Sequence, residues 1–414
     1  MKHFPCLAAL ILLLASISAS AQPPATAPRT SIDPPARNII LLIGDGMGFG
    51  QVQAASYYAH GTPDSLCFQT LPHSGEITTA PANGDLTDSA AGATAMATGH
   101  KVANGVVSIA DPGASDELPT VLELLQARGK AVGLITTTEF NHATPAAFAA
   151  HESSRGNLRQ IVGDFLQQTR PNVIMGGDWA TSADLAREAG YTVVTTRDEL
   201  DEASQSPDVN MLCGLFGEGH MPYEYLEAQR ADSAYNHLPH LARMTQAGLA
   251  ILARDPDGFF LMVEGGRIDH AGHNQGVTNP DDRTRCIIQE TLEFARAAQV
   301  ALDFAREHGD TLVIITADHE TGGLTVTEGR GQGEYPAVHW ATGDHTAANV
   351  PIYAFGPGGE RVRGVMDNTD VFRLMVGQPL ANELAEPCLC GKPAAAVPAT
   401  QDNFNSGAAP RGRR

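Results

Sequence analysis

The sequence predicts an α/β fold, a three-layer sandwich with a central, mostly parallel sheet and helices on both faces. Six short runs carry that prediction, at residues 38–43, 131–137, 172–175, 259–263, 311–316 and 350–355. Each is apolar at consecutive positions, as a strand buried on both faces must be. Helical patterns separate them, and strands alternating with helices imply crossovers that cover both sides of a sheet. Several runs also end in clusters of metal-binding residue types, and open α/β sheets bind ligands at the carboxyl ends of their strands.

In chain order, residues 1–21 read as a signal peptide. Lys2 precedes an apolar run from Leu7 to Leu14, and Ala19, Ser20 and Ala21 give the small-residue pattern that signal peptidases accept. That run is too short to span a bilayer and no later segment is long enough, so no membrane span is expected and the chain is expected to be exported, to the periplasm or outside the cell. Residues 22–36, rich in Pro and Ala, read as a disordered leader, residues 37–385 as the folded domain, and residues 386–414 as a mobile tail. A helix is expected over 120–128, with Pro119 in front, Leu122 and Leu125 on one face and Gly129 as its stop.

The formal charge of -20 argues against nucleic acid as a partner, which asks for a basic stripe. If the substrate is an anion, the same charge favours a pocket neutralised by bound cations. Five cysteines follow the signal segment, Cys67, Cys213, Cys286, Cys388 and Cys390, so an oxidising compartment could pair four and leave one over. Their connectivity does not follow from sequence.

The run at 38–43 leads into Gly44-Asp45-Gly46-Met47-Gly48, a carboxylate between glycines that is either a plain turn or a close approach to a ligand. The run at 259–263 leads into Glu264-Gly265-Gly266-Arg267-Ile268-Asp269-His270-Ala271-Gly272-His273. A helix beginning near Ile268 puts Asp269 and His273 at i and i+4, on one face and within reach of one ion. Carboxylate with imidazole suits zinc, and Glu264 offers the hard oxygen that magnesium prefers. The run at 311–316 leads into Ala317-Asp318-His319-Glu320-Thr321-Gly322-Gly323, where Asp318 and His319 can share a site only if the pleat ends there. His345, before the last run, is a further candidate.

Ser89, in Thr87-Asp88-Ser89-Ala90-Ala91-Gly92, heads a small-residue helical stretch. It is either an N-cap or a nucleophile whose alkoxide is favoured by the helix N-terminus. No Gly-x-Ser-x-Gly surrounds it and no His-Glu-x-x-His occurs, which disfavours a lipase-type elbow and a zincin protease. Arg155 has the planar fork that holds two phosphate oxygens at once.

Taken in order, IGDGMG, TDSAAGATA, HATPA with its later arginine, VEGGRIDHAGH, TADHETGG and GDHTAANVPIYAFGPG resemble the alkaline phosphatase family over residues 37–380. The resemblance implies two zinc ions and one magnesium per chain, and hydrolysis of small phosphate monoesters through a phosphoserine. By that likeness Asp269, His273 and His345 hold the first zinc, and Asp45, Asp318 and His319 the second. Asp45 also touches the third ion together with Thr144 and Glu264. Ser89 matches the nucleophile and Arg155 the phosphate clamp. His142 and His270, outside the ligands, are similar to the vertebrate enzymes, where the enterobacterial one has Asp and Lys. Only residues 324–340 separate Asp318-His319 from His345, where many relatives carry a large insert, so a reduced crown is expected and the homodimer the family suggests loses part of its support. A phosphodiesterase of the same superfamily, and a secreted metal or phosphate scavenger, share the ligands and remain the alternatives.

Overall fold

The computed structural model describes residues 33–110, 116–179, 182–229 and 237–384. The segment expected to be a signal peptide, most of the expected leader and the expected tail from 386 lie outside the described residues. Asp33 N donates to Val376 O at 2.8 Å and Ala36 is buried, so the described chain is anchored to the fold ahead of Arg37.

Fourteen strands are described: β1 (Asn38–Gly44), β2 (His73–Thr78), β3 (Ala131–Glu139), β4 (Val173–Asp178), β5 (Thr192–Val194), β6 (Leu212–Glu218), β7 (Phe259–Gly265), β8 (Thr311–Thr316), β9 (Glu320–Thr321), β10 (Leu324–Glu328), β11 (Ala337–Trp340), β12 (His345–Thr346), β13 (Val350–Phe355) and β14 (Gly364–Asp367). Ten of them form one sheet in the order β14-β2-β13-β8-β1-β7-β3-β4-β6-β5. β13 is antiparallel to β2 and β8, while every other pairing in that sheet is parallel. The sheet is therefore mostly parallel, as the apolar runs predict. Residues 324–340 form a two-stranded hairpin of β10 and β11.

Adjacent residues of β7 show why the runs are apolar on both faces. Phe259 packs against Phe304 of the helix Pro280–His308, with ring centroids 5.5 Å apart, while Phe260 stacks on Phe148 of the helix Ala143–Ala149 at 6.0 Å. Both are fully buried, and burying each side chain contributes about 2–3 kcal/mol. The helix Pro280–His308 is capped by the Asn279 side chain, carries Asp281 and Asp282 in its first turn and Arg306 and His308 in its last, and ends at Gly309 with a left-handed φ of 74°.

Register places the chemistry. Ile43 of β1 pairs with Glu264 of β7 and with Thr316 of β8, and Glu264 pairs with Thr136 of β3. β1, β7 and β8 thus end level while β3 runs on to Glu139, and the residues that follow the first three share one rim.

Three sequence expectations change. The helix expected over 120–128 is Val121–Gln126, shortened because Thr120 is its cap: the Thr120 hydroxyl accepts from Glu123 N and the Glu123 carboxylate accepts from Thr120 N. Ser89 is not an N-cap. Asp88 takes that position, accepting from Ala91 N at 3.0 Å, and Ser89 is the first residue of the helix Ser89–Thr98. The cysteines Cys67, Cys213 and Cys286 are all free, so no disulfide forms among them, and Cys388 and Cys390 lie outside the described residues.

Beside the Thr120 cap, His151 Nε2 lies 3.0 Å from Glu123 Oε1, and His151 Nδ1 donates to Ser108 O at 2.9 Å. Burial opposes the charge on His151, but the Glu123 hydrogen bond and charge, with the Ser108 carbonyl, push it up to about 9. Burial also opposes ionisation of Glu123, but the His151 bond and charge together with the Thr120 hydrogen bonds hold the carboxyl low. The His151 contribution is fully present below the unfolded value near 6.5 and is lost as pH rises through about 9. His151→Gln should therefore cost about 2–3 kcal/mol at pH 6, and the difference from wild type should shrink steadily towards pH 10. Urea unfolding at the two pH values checks this, and a pH-independent difference would contradict it.

Candidate metal centre and serine site

β1 delivers Asp45 to the rim, and the chain turns at Gly46, whose φ of 70° is left-handed. A Cβ there would lie 2.9 Å from Asp269 Oδ1 and 2.7 Å from Thr321 Oγ1, so only glycine lets the two segments meet. Asp45 is fully buried, and neither of its carboxylate oxygens has a hydrogen-bond partner. Glu264, in β7, accepts from Thr136 Oγ1 at 2.5 Å through Oε2, while Oε1 has no partner. Thr144, in the helix Ala143–Ala149, is buried with its hydroxyl unpartnered. Asp318 accepts from Gly46 N and His319 N through Oδ1, and its Oδ2 has no partner.

His319, fully buried, sits at the middle of the group. Its Nε2 lies 3.3 Å from Ser89 Oγ, 3.4 Å from Asp45 Oδ1 and 3.3 Å from Asp318 Oδ2. Asp269 and His273 stand four residues apart on the helix Arg267–Gly272 and its C-cap, with Oδ1 and Nε2 3.4 Å apart. His345 Nε2 is 3.5 Å from the same Asp269 oxygen. Thr321 Oγ1 donates to Asp269 Oδ1 at 2.5 Å and lies 3.3 Å from His319 Nδ1, so one hydroxyl links the two halves.

Tautomers follow from these partners. His273 Nδ1 faces Gly343 O at 2.7 Å and His345 Nδ1 faces Thr87 O at 2.7 Å. A carbonyl only accepts, so both Nδ1 atoms carry protons. The two Nε2 atoms are 2.9 Å apart; burial opposes charge on His345, but its bond to Asp269 raises it to about 9, so a proton on its Nε2 or a bound cation relieves the contact.

Charge makes the same demand. Burial, then the charges of Asp318, Asp269 and Glu264, push the Asp45 carboxyl well above its usual range. Burial lifts Glu264 to about 7, and burial with the Asp269 charge lifts Asp318 to about 6. Burial presses His319 down to about 3. Burial opposes ionisation of Asp269 too, but the His345 bond and the charges of His319, His273 and His345 hold it low. Buried acceptors without donors are costly in a protein and marked by repulsion here, and bound cations satisfy both. The donor atoms fall into three groups in which all lie within 4.8 Å of one another: Asp269, His273 and His345; Asp45, Asp269 and His319; and Asp45, His142 and Glu264. Oxygen and imidazole donors of this kind fit zinc and magnesium.

Arg155 stands at the mouth, its side chain 31% exposed, with Nη1 3.1 Å from Asp88 Oδ2 and Nη2 3.1 Å from His142 Nε2. Every residue expected from sequence is thus in one cluster: Asp45, Ser89, His142, Thr144, Arg155, Glu264, Asp269, His270, His273, Asp318, His319 and His345.

Sequence reading missed several members. His220, just past β6, packs its ring 4.5 Å from that of His270 and 5.7 Å from that of His142, and accepts from Glu139 N through Nδ1 at 3.0 Å. Arg267 donates to His270 Nδ1 at 2.7 Å and lies over the Tyr223 ring. Burial first, then neighbouring guanidinium charge, holds His142 well below its usual range, His270 at about 3 and His220 at about 4, so all three are neutral at pH 7. Arg267 stood in the quoted VEGGRIDH stretch and could have been noticed. His220 had no signal, because the strand before it was not recognised. A surface cavity of about 720 Å³, lined by Arg159, Leu166, Arg170, Trp179 and others, shares no residue with the cluster.

Comparison with known proteins agrees with this geometry. The family model described as alkaline phosphatase matches residues 36–179 and 164–337. The chain is 35% identical to the streptomycin-6-phosphate phosphatase of Streptomyces griseus, over 88% of this chain and 94% of that one. It is 33% identical to the alkaline phosphatase of Escherichia coli (strain K12), over 83% and 86%. Among solved structures, the alkaline phosphatase of the Antarctic bacterium TAB5 superposes with a TM-score of 0.69 at 28% identity, over 84% of this chain and 98% of that one. A variant of that enzyme, similar to this chain to the same TM-score of 0.69, has magnesium bound in its M3 site. With fold, site and relatives in agreement, this chain belongs to the alkaline phosphatase family and is a phosphate monoester hydrolase.

Proposed function

We propose that Ser89 is the nucleophile of a phosphoserine mechanism, that Arg155 holds the phosphoryl oxygens, and that the chain works with two zinc ions and one magnesium. The observation that carries this is the set of buried, unpartnered acceptors on Asp45, Glu264, Asp318 and Thr144 gathered around one serine. Asp269, His273 and His345 would hold the first zinc, Asp45, Asp318 and His319 the second, and Asp45, Thr144 and Glu264 the magnesium, with His142 and His270 behind them. When bound, such a metal pair stabilises both the attacking and the leaving oxygen of an in-line displacement and lowers the pKa of a hydroxyl beside it.

The side chains supply the rest. Ser89, at the first position of its helix and nearly fully buried, is fixed in direction and faces the positive end of the helix dipole. Arg155, already oriented by Asp88 and His142, turns free N–H groups towards two oxygens of the phosphoryl group. The Ser89 hydroxyl gives its proton to solvent water as Oγ forms a bond to phosphorus and the ester P–O bond breaks, and the departing alkoxide is protonated from that water. Water then attacks the phosphoserine, the bond from phosphorus to Ser89 Oγ breaks, and a proton from the attacking water returns to Ser89 Oγ as inorganic phosphate is released.

Export rests on the segment 1–21, and no described helix is long and apolar enough to cross a membrane. The hairpin of β10 and β11 is the reduced crown, and a homodimer remains part of this reading. The substrate is a small phosphate monoester rather than a diester, supported by a serine at the nucleophile position.

Purified protein should hydrolyse p-nitrophenyl phosphate in preference to its bis ester, lose activity with a chelator and regain it with zinc. Faster turnover of the bis ester would favour a phosphodiesterase, and metal binding without turnover a scavenger. Ser89→Ala should lower steady-state hydrolysis by about 10³-fold or more while keeping its zinc content, and an active variant would remove the phosphoserine step. Arg155→Ala should weaken inhibition by inorganic phosphate by about 10–100-fold, read as the inhibition constant, with a smaller change in kcat. An unchanged inhibition constant would show that Arg155 does not touch phosphate.

A further inference from the structure

We propose that Arg283, stacked on Trp340, is a positioning residue that sets how tightly the outer half of the metal centre keeps its ion. The inference rests on the reading above, in which His273 and His345 are ligands. The two halves of the centre differ in burial. Asp45, Asp318 and His319 have no exposed surface, whereas the side chains of His273 and His345 are 30% and 18% exposed. The inner group is held by the sheet core, and the outer group must be held by something else.

Arg283 joins the two segments that carry the outer histidines. Its Nη2 donates to Gly272 O, the residue before His273, and to Thr342 O at 2.9 Å, three residues before His345. Its guanidinium carbon lies 3.6 Å from the centre of the Trp340 ring, and Trp340 Nε1 donates to Thr284 Oγ1 at 3.2 Å. The third side of this clamp is Gly322. Its O accepts from Ala341 N and Thr342 N, and its N donates to Asp344 O at 2.9 Å. With a left-handed φ of 97°, a Cβ at Gly322 would stand 2.5 Å from the Trp340 ring and 2.9 Å from Arg283 Nη2, so the contact is closed to any larger residue.

One guanidinium nitrogen therefore fixes the spacing between residues 272 and 342. The loop it holds also presents Gly343 O, which accepts a hydrogen bond from His273 Nδ1 and orients that ring. Groups that orient ligands without touching the ion typically change metal affinity by about 10–100-fold when removed. Stacking and two carbonyl acceptors suit a planar guanidinium better than an ammonium.

The test follows zinc leaving the intact, zinc-loaded protein into a chromogenic chelator under native conditions. Wild type should hold two zinc ions per chain. In Arg283→Ala, one should leave about 10–100-fold faster while the other leaves at the wild-type rate. Arg283→Lys and Trp340→Phe should fall between, and they give the same reading if the alanine variant does not fold. Arg285→Ala, which removes a nearby arginine paired with Asp282, should leave both rates unchanged. Unchanged release from a folded Arg283 variant, or equal acceleration of both ions, overturns the clamp while leaving the metal centre standing. A wild-type chain that takes up no zinc overturns the metal centre itself, and the clamp with it.

Discussion

Carboxylates crowded together out of reach of water are the constraint around which this molecule is organised. Asp45, Glu264 and Asp318 are buried at the ends of adjacent strands, with oxygens that have no donor, and Asp269 is buried on the short helix that follows β7. A folded chain ordinarily removes such a conflict by protonation, and burial does push Asp45, Glu264 and Asp318 in that direction. Protonation, however, supplies one donor per carboxyl, so it relieves the repulsion only in part and leaves other oxygens without a donor. Cations satisfy both at once, so folding and ion binding are coupled at this rim.

The sheet makes the crowding tolerable. β8, β1 and β7 are hydrogen-bonded neighbours with level carboxyl ends, so Asp318, Asp45 and Glu264 stand in or directly after fully buried strands. The outer histidines come instead from the end of a short helix and from β12, a two-residue strand paired with β9. Glu320 ties these parts together. It accepts from Gln51 Nε2 at 2.8 Å and from Gly323 N at 3.0 Å, and the Thr346 hydroxyl donates to it, joining the neighbours of His319 and His345.

The strands that build the rim were legible because burial on both faces leaves an unbroken apolar run, as in Asn38–Gly44 and Phe259–Gly265. The strands that were missed have other physics. β2 and β14 lie at one end of the sheet, are half-buried and mix polar with apolar residues, and β5, at the other end, has three residues. β6 is interrupted by Gly214 and Gly217. In the site, the ligand candidates were legible because each follows a recognisable strand or sits at helical spacing. His220 follows a strand that could not be read, and it meets His142 and His270 only through the fold. Ser89 was ambiguous for a local reason: Asp88 and Ser89 both cap helices well, and only the hydrogen bond to Ala91 N decides between them.

The same logic of donors and acceptors bears on His142. Arg155 can only donate, so its bond to His142 Nε2 makes that nitrogen the acceptor and leaves the ring proton on Nδ1. That Nδ1 is buried and without a partner, and His142 is grouped with Asp45 and Glu264. While Arg155 is docked, then, His142 has no free lone pair for an ion, and the oxygens of Asp45, Glu264 and Thr144 remain. Oxygen donors alone suit magnesium better than zinc, which supports the proposed occupant. The arginine that would bind phosphate would thereby also occupy the lone pair with which His142 could hold an ion there.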